Sequence, residues 1–327
     1  MKVDDGGDWR PTATVEALRL RAEVLANIRS FFAERGVLEV ETPVLGAATV
    51  TDINLQSLIS RFCGPGSPDG RNLFLQTSPE FHMKRLLAEG CGPIWQLCKA
   101  FRNGEAGRRH NPEFSILEWY RPDWDHHRLM DEMDDLLGVI LGTQRGQRLT
   151  YAEAFQRHVG LDPHCASVDG LGDSARQLLG ANAPNLGTDR DGWLQLLFSQ
   201  VLEPALGRGR PSFVHDFPAS QAALARIRSG DPPLAERFEV FVEGVELANG
   251  FHELADPAEQ RQRFESDIEA RHRAGLPTPT PDDRLLAALE EGFPNCAGVA
   301  LGVDRLVMLK AGVTDISEVI AFPIDRA

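Results

Sequence analysis

The feature that most constrains the fold is a pair of strand-like segments separated by a polar loop. The segments read PIWQLCKAFR and EFSILEWYR, and the loop between them reads NGEAGRRHNP. Successive side chains of a strand point to opposite faces, so Phe114, Ile116, Glu118 and Tyr120 would share one face. A loop of about ten residues is longer than most hairpin connections, and such loops often bind ligands. We therefore predict an antiparallel pair that presents an aromatic ring, a carboxylate and a phenol together.

Composition and charge narrow the range of partners. The chain has 327 residues, 42% of them hydrophobic, which suffices for one large or two ordinary domains. Its formal net charge of -14 argues against nucleic acid as the main partner, because that binding depends on clustered basic residues. Five cysteines without paired spacing indicate reduced thiols. The acidic start MKVDDGG is unlike a signal peptide and no apolar run is long enough for a membrane span, so we expect a cytoplasmic protein.

Capping signals predict the elements of the first third of the chain. A long amphipathic helix follows Thr14, a good N-cap residue, and ends before Gly36. The segment VLEVETPVL reads as a short strand interrupted by Pro43. After the strand NLFLQT, Ser78 is predicted as an N-cap and Pro79 as the first residue of the next helix.

The rest of the chain predicts an α+β fold. Residues from about 125 to 235 read as a mainly helical insertion, whereas RFEVFVEGVELANGFHEL restores alternation, with Asn249-Gly250 as its turn. GVALGVDRL passes from a glycine-bearing strand into a helix. We expect residues 1–327 to form one domain around an antiparallel sheet that draws strands from both ends of the chain.

Residues suited to a nucleotide are present but far apart in sequence. Arginine forks bind phosphates, an aromatic face stacks on a base, and carboxylates hold Mg²⁺. Arg102 and Arg305 suit the first task, Phe114 the second, and Glu239 with Glu246 the third. Taken singly, such an arginine is more often a structural ion-pair residue and such a phenylalanine a core residue. The alternative for the two glutamates is a solvated strand face.

Three segments together resemble the class II aminoacyl-tRNA synthetases. RGVLEVETPVL is similar to the first motif of that class, FRNGEAGRRHNPEF to the second and GVALGVDRL to the third. TSPEFHMKRLL, HNPEFSILEWY and ELANGFHEL resemble its lysine-handling members. The resemblance runs from about Ala17 to the C-terminus. It implies a six-stranded antiparallel sheet flanked by helices, and activation of a carboxylate by ATP and Mg²⁺ to an acyl-adenylate.

The resemblance also implies roles for the nucleotide-site residues. Arg102 is similar to the arginine that bridges the substrate carboxylate and the α-phosphate, and Arg305 to the one that binds the γ-phosphate. Both are expected to be catalytic. The remaining ATP-binding residues that it implies are Glu105, His110, Asn111, Phe114, Glu239 and Glu246, the last two as the metal ligands.

A lysine-like substrate needs carboxylates and hydroxyl groups, because a buried ammonium is costly unless paired. The residues that match the lysine pocket of the family are Glu118, Tyr120, Asn249, Phe251 and Glu253. The last three would share one face of an extended strand. The resemblance assigns Tyr120 and Glu253 to the side-chain ammonium, and places Ser78 and Glu80 near the other amino group.

The sequence departs from the synthetase pattern at three places. The first motif begins near Arg35, so no anticodon-binding domain is expected before it. Ala300 stands where the pattern has glycine, and its methyl group would narrow a pocket wall. Gly104 stands at a usually acidic position, and Glu105, which follows it, is expected to substitute.

These departures favour a stand-alone branch of the family. That resemblance implies an enzyme that activates (R)-β-lysine with ATP and transfers it to the ε-amino group of a lysine on elongation factor P, with Ala300 favouring the β-amino isomer. It also implies a homodimer with Pro43 near the contact. The alternatives are a truncated lysyl-tRNA synthetase-like enzyme acting on tRNA, a free-standing asparagine synthetase and a non-catalytic regulatory paralogue.

Some polar residues remain outside this assignment. His82 and His252 read as packed or exposed side chains rather than metal ligands or bases. Arg108-Arg109 and Lys84-Arg85 are candidates for a basic surface that faces a partner, and a solvated loop is the alternative.

Overall fold

The computed structural model describes residues 9–180 and 183–327. The helices of these residues are α1 (Val15–Glu34), α2 (Glu80–Ala88), α3 (His126–Leu141), α4 (Tyr151–His158), α5 (Val168–Leu179), α6 (Arg190–Leu197), α7 (Pro257–Arg273), α8 (Asp283–Gly292) and α9 (Val303–Ala311). The strands are β1 (Leu38–Glu39), β2 (Leu45–Gly46), β3 (Ile59–Gly64), β4 (Ser67–Leu75), β5 (Ile94–Phe101), β6 (Glu113–Pro122), β7 (Gln147–Thr150), β8 (Ser212–Pro218), β9 (Ile227–Arg228), β10 (Leu234–Val242), β11 (Val245–His252) and β12 (Cys296–Gly302). Among these helices, none is long and apolar enough to cross a membrane.

The chain divides into two compact units. The first contains the residues up to Pro122 together with Ala255–Asn295 and Ala300–Ala327, and the second contains Asp123–Leu254 and Cys296–Val299. The predicted insertion, about 125 to 235, belongs to the second unit, where it forms β7, β8 and β9 as well as helices. A single domain spanning 1–327 stays a prediction.

The first unit is organised around α1 and the predicted hairpin. The Thr14 hydroxyl accepts a hydrogen bond from the Ala17 N–H at 3.1 Å, which confirms the predicted cap. Phe32 of α1 is fully buried, and its ring centroid lies 5.0 Å from that of Trp95 and 5.3 Å from that of Trp119. These aromatic contacts fix the helix against β5 and β6.

Strands β5 and β6 form the predicted antiparallel pair. Their register runs from Ile94 opposite Tyr120 to Phe101 opposite Glu113, and β1 adds a short parallel pairing to β5. Strands β2, β4 and β3 form a separate antiparallel sheet in the same unit. The loop between β5 and β6 is therefore held at both ends by a continuous ladder.

The start of α2 differs from the prediction by one residue. The helix begins at Glu80, and Pro79 occupies the cap position without a side-chain cap. The Ser78 hydroxyl instead accepts a hydrogen bond from the Glu80 N–H at 3.0 Å. A hydroxyl that bonds the amide two residues later closes a turn before the helix, so Ser78 is placed by the turn that leads into α2.

The second unit contains a sheet with strand order β12, β11, β10, β8, β7, and β9 pairs with β10. Strand β10 is antiparallel to β8, β9 and β11, whereas β7 and β8 are parallel. An aromatic cluster packs under this sheet, in which the ring planes of Tyr151 and Phe198 differ by only 2° at 5.3 Å. The helices α4 to α6 contribute to this core.

The predicted turn at Asn249-Gly250 is wrong. The chain turns at Glu243 and Gly244, whose φ angles are 51° and 72°, and Asn249 and Gly250 lie inside β11. Gly250 pairs with Phe238, and a Cβ atom added to it would lie 2.4 Å from Cζ of that ring. This glycine is required by a close approach across the sheet, since any side chain would collide with Phe238.

The fold class is α+β, as predicted, with mostly antiparallel strands flanked by helices. The described residues form twelve strands in all, so others are present beside the six of the predicted antiparallel sheet. The additional strands include the short β1 and β7, each of which pairs in parallel with its neighbour.

Candidate active site

Arg102 lies at the neck of the β5–β6 loop. Its N–H donates to the Pro112 carbonyl at 2.9 Å, which fixes the backbone where the loop closes. Its guanidinium carbon lies 5.0 Å from the ring centroid of Phe114, and Nη1 lies 3.6 Å from Oε1 of Glu105. The structure thus brings together three of the residues predicted to bind the nucleotide, around a partly exposed cation.

The departure at Gly104 is tied to the shape of this loop. Gly104 has a φ of 85°, a left-handed conformation that side chains other than glycine rarely adopt. An acidic side chain at this position would therefore strain the turn. Glu105, one residue later, supplies the carboxylate that faces Arg102.

Arg305 contacts the same loop from α9. Its Nη2 lies 2.6 Å from Nε2 of His110, and its Nε lies 3.5 Å from the Arg109 carbonyl oxygen. Arginine remains protonated in proteins, so Nε2 of His110 is assigned as the acceptor and the neutral ring carries its proton on Nδ1. Both arginines predicted to bind phosphate therefore contact one loop.

Asn111 is held by the backbone on both sides. Its Nδ2 donates to the Glu113 carbonyl at 2.6 Å, and its Oδ1 accepts from the Ile324 N–H at 3.0 Å. The side chain is buried. These contacts join the loop to the C-terminal segment and position its neighbour His110.

Asp304 is a residue of this site that the sequence analysis missed. Its Oδ2 accepts from the Ser115 N–H at 2.7 Å, and its Oδ1 lies 2.6 Å from Nη1 of Arg21. Arg21 Nη2 also donates to the Ser115 hydroxyl at 2.7 Å. This buried network joins α1, β6 and the start of α9, and so places Arg305. The available signal was an acidic residue directly before Arg305 in the otherwise apolar segment GVDRLVML.

Glu118 is the buried carboxylate of the predicted amino-acid pocket. Tyr120 Oη donates to its Oε1 at 2.5 Å, and Ser78 Oγ donates to its Oε2 at 2.7 Å. Glu118 and Tyr120 are each only 2% exposed. Burial and, next, the Glu118 carboxylate raise the pKa of the neighbouring Cys98 thiol to about 12. The site therefore combines negative charge with little water.

Glu80 pairs with a lysine of its own helix. Its Oε1 lies 2.7 Å from Nζ of Lys84, a side chain only 1% exposed. The expectation of a basic surface at Lys84-Arg85 is therefore wrong for Lys84. Glu80 offsets this buried ammonium, and its predicted contact with substrate stays a prediction.

Ala300, in the first-unit part of β12, is half-buried.

In the second unit, a β-bulge aligns the two predicted metal-binding carboxylates. Glu239 pairs with Asn249, and Phe241 pairs with Glu246, with a register shift between Val240 and Phe241. Residues paired across a ladder share a face, as do alternate residues of one strand. Glu246 and Asn249 are three positions apart, so in a regular strand without the shift their side chains would point to opposite faces. The bulge brings both onto the face of Glu239.

Arg237 completes this face, and the sequence analysis missed it too. Its guanidinium donates to Glu239 and, at 3.2 Å through Nε, to Oδ1 of Asn249. Arg237 also pairs with Phe251 across the ladder. Arg237, Glu239, Asn249 and Phe251 therefore lie together. The alternation in RFEVFV was the signal that could have identified Arg237.

The electrostatics of Glu239 suit a cation. Burial is the main cause that raises its pKa to about 8, with Arg237 opposing the rise and Glu246 contributing to it. The oxygen donors of Glu239 and Glu246 are the ligand type that Mg²⁺ prefers.

Glu253 follows β11 and is 3% exposed, with its N–H bonded to the Cys296 carbonyl at 2.9 Å.

Sequence comparisons add an independent result. Residues 7–326 match the family model described as tRNA synthetases class II (D, K and N). Proteins named elongation factor P–(R)-beta-lysine ligase from Salmonella paratyphi B, Salmonella schwarzengrund and Salmonella typhimurium are each 55% identical to this chain over 325 residues. These matches cover 99% of this chain and 100% of each relative.

Proposed function

Because this chain belongs to the class II tRNA synthetase family of the D, K and N type, we propose that it is an ATP-dependent ligase that attaches (R)-β-lysine to elongation factor P. The observation that carries the proposal is the full-length similarity to ligases of that name. The buried Glu118 carboxylate, with hydroxyl donors at 2.5 and 2.7 Å, supports a cationic substrate. The reduced cysteines suit a reaction in the cytoplasm.

Arg102 and Arg305 are proposed to bind the ATP phosphates. Two guanidinium groups that contact one loop supply positive charge where a triphosphate would need it. Phe114 is proposed to stack on adenine. The loop residues Glu105, His110 and Asn111 would fix the edges of the nucleotide and the position of the arginines.

Glu239 and Glu246 are proposed to hold Mg²⁺. The ion would neutralise phosphate oxygens, and a bound cation would also relieve the unfavourable burial of the Glu239 anion. Arg237 contacts the same carboxylate and partly offsets the effect of burial on its pKa. The bulge between β10 and β11 is then a requirement of the metal site, since it sets the two carboxylates on one face.

The proposed reaction has two steps. A carboxylate oxygen of (R)-β-lysine attacks the α-phosphorus of ATP, and pyrophosphate leaves with the electrons of the broken bond. Arg102 would stabilise the charge that moves during this transfer. The neutral ε-amino group of a lysine on elongation factor P then attacks the carbonyl carbon of the adenylate, AMP leaves, and an amide forms with loss of a proton.

Acidic side chains and hydroxyl groups are proposed to bind the amino-acid substrate. Glu118, Tyr120 and Ser78 form one preorganised set, and Asn249, Phe251 and Glu253 are proposed as pocket residues of the second unit. Glu80 would act near the second amino group while it balances Lys84.

We also propose a homodimer with Pro43 near the contact. The side chains that flank this proline are apolar and exposed, with Leu38 at 53%, Leu45 at 45% and Val44 at 37%. Exposed apolar residues clustered in one segment favour a protein interface over a solvated surface.

A transfer assay tests the function. Purified chain, ATP and Mg²⁺ are incubated with labelled (R)-β-lysine and either elongation factor P or bulk tRNA. Label should appear on elongation factor P and be absent when its acceptor lysine is replaced. Label on tRNA would support the truncated-synthetase alternative. Without ATP–pyrophosphate exchange for either lysine isomer, the regulatory alternative would replace this proposal.

Ala300 is proposed to favour the β-amino isomer. An Ala300→Gly variant should raise the exchange rate with α-lysine relative to (R)-β-lysine, because removal of the methyl group opens space at the pocket wall. An unchanged isomer ratio would show that Ala300 does not select the substrate. Ala297→Gly in the same strand, at a fully buried position, controls for general loosening.

A further inference from the structure

Histidines from two elements of the second unit converge outside the residues assigned above. His126 and His127 begin α3, and His215 lies on β8. Their ligand atoms all lie within 4.8 Å of one another. The ring centroids of His126 and His127 are 4.1 Å apart, and those of His127 and His215 are 5.2 Å apart. Three imidazoles at this spacing are a transition-metal donor set.

His126 is the member of this cluster that most needs a ligand. It is 1% exposed, and neither of its ring nitrogens has a hydrogen-bond partner among the described residues. Its nearest carboxylate oxygen in an ion-pair geometry, Oδ1 of Asp216, lies 4.0 Å from Nε2. Buried polar atoms are normally paired, because leaving them unpaired is costly. A bound ion would satisfy one of these nitrogens.

Asp216 is built to orient His215. Oδ2 of Asp216 lies 3.3 Å from Nδ1 of His215 without hydrogen-bond geometry, so a small rotation of the ring would let Nδ1 donate to Asp216 and leave Nε2 for a ligand. A metal-binding histidine commonly presents its other nitrogen to a carboxylate in this way. The same aspartate has a φ of 60°. It lies at a bulge between β8 and β10, where this single residue of β8 is opposite two residues of β10, Glu236 and Arg237. A bulge with a left-handed residue re-aims side chains and is frequent at functional sites.

The surrounding charges and exposure suit a cation that enters from solvent. The Asp216 carboxylate also pairs with Arg228 at 3.0 Å, and the carboxylates of Asp125 and Glu236 add negative charge close to the cluster. His127 is exposed, so one ligand is open to water while His126 is buried. An ion could therefore bind without unfolding of the sheet.

We propose that His126, His127 and His215 bind one divalent transition-metal ion of the zinc class, with Asp216 as a positioning residue. Around such an ion, nitrogens at about 2.0–2.1 Å from the metal lie roughly 3.3 Å apart, so the ligand atoms need to close by only small side-chain rotations. The ion would join the start of α3 to β8. This inference is independent of the ligase reaction, because it uses none of the residues assigned to ATP or the amino acid.

A second group, His126 with Glu236 and His252, offers a competing donor set. It is wholly buried, and Nδ1 of His252 already lies 2.7 Å from Oε2 of Glu236. Those two groups already lie in contact, and metal binding would have to separate them. The set with His127 and His215 is therefore favoured, and variants distinguish the two.

Metal binding to the full chain, without a polyhistidine tag, tests the proposal. Chelator-treated protein is titrated with Co²⁺, whose visible absorption reports a tetrahedral site, and Zn²⁺ is then added in competition. Elemental analysis after gel filtration should find one zinc per chain. His127→Asn and His215→Asn should each weaken Co²⁺ binding at least about 10-fold. His158→Asn, in α4 of the same unit, is the matched control and should bind like the wild type.

His127 is exposed, so its variant should fold even if a His126 variant does not, and circular dichroism checks this directly. No Co²⁺ binding by the folded wild-type chain would overturn the proposal. It would also be overturned if His127→Asn and His215→Asn bound Co²⁺ as tightly as His158→Asn. Loss of binding in His252→Asn alone would assign the ion to the competing buried group instead.

Discussion

The Nη2 atom of Arg305 lies 2.6 Å from Nε2 of His110, which joins the start of α9 to the β5–β6 loop. The contact requires a neutral histidine, because a protonated ring would present a second donor to the guanidinium. Arg102 contacts the same loop at its neck. Arg102 and Arg305 come from motifs about two hundred positions apart. Their positions both depend on the shape of this one loop.

Arg305→Lys should lower kcat for ATP–pyrophosphate exchange by about 10²- to 10³-fold, because lysine keeps the charge but loses the planar fork that contacts His110 and is proposed to bind phosphate oxygens. His110→Asn should have a smaller effect, of about 10-fold, through the position of Arg305. Exchange kinetics at saturating amino acid measure both.

Arg108→Lys is the control for this prediction. Arg108 belongs to the same loop but donates to the Thr314 hydroxyl at 2.9 Å. Its variant should keep nearly full activity. If Arg108→Lys and Arg305→Lys lost activity equally, Arg305 would have no special role in phosphate binding.

Tyr120→Phe and Ser78→Ala should each raise KM for (R)-β-lysine about 10-fold, since each removes one hydroxyl donor from the buried Glu118 carboxylate. KM for ATP should change little. Ser60→Ala on β3 removes a hydroxyl outside the pocket and should leave both constants unchanged. A larger rise in KM for ATP than for the amino acid would place these residues at the nucleotide instead.

Local patterns predicted the elements that carry the site. Alternation in EFSILEWYR predicted the face that holds Phe114, Glu118 and Tyr120, and the register of β5 with β6 confirms the antiparallel pair. The cap at Thr14 was equally local, because hydroxyl and amide lie three residues apart. Such features depend on chain geometry over a few residues, which the sequence contains in full.

Features that depend on contacts across the sheet were not predictable in this way. Asn249-Gly250 has the composition of a turn, but the ring of Phe238 requires glycine inside β11. The bulge that sets Glu246 beside Glu239 leaves no signal in the local alternation. The two partners of Asp304 lie 283 and 189 positions away. Only folding brings these groups together, so their pairing is a tertiary property.

Asp304→Asn should lower the free energy of unfolding by about 3 kcal/mol, because it leaves Arg21 partly buried without its charged partner. Activity should fall as well, since Asp304 positions α9 and Arg305. Urea denaturation measures the first effect and ATP–pyrophosphate exchange the second.

Arg21→Met provides the matched test. If the pair is the reason for the loss, the double variant should be destabilised by clearly less than the sum of the two single variants. Strict additivity would show that Asp304 stabilises the fold through the Ser115 amide alone.

Glu239→Gln should remove a pH-dependent loss of stability. Burial raises the pKa of Glu239 from an ordinary value of 4.5 to about 8, so between these pH values the native state holds a proton that the unfolded chain has released. The free energy of unfolding of the wild type should therefore fall as pH rises through this window. Glutamine stays neutral throughout, and the variant should become more stable relative to the wild type by at least about 1 kcal/mol across the window.

Urea denaturation at a series of pH values, with a chelator present, measures this difference. Glu243→Gln is the control, because Glu243 lies at the exposed β10–β11 turn and its charge is in contact with solvent. Its curve should follow that of the wild type. A constant difference between Glu239→Gln and the wild type at every pH would mean that Glu239 is ionised throughout, and that Arg237 outweighs the cost of burial.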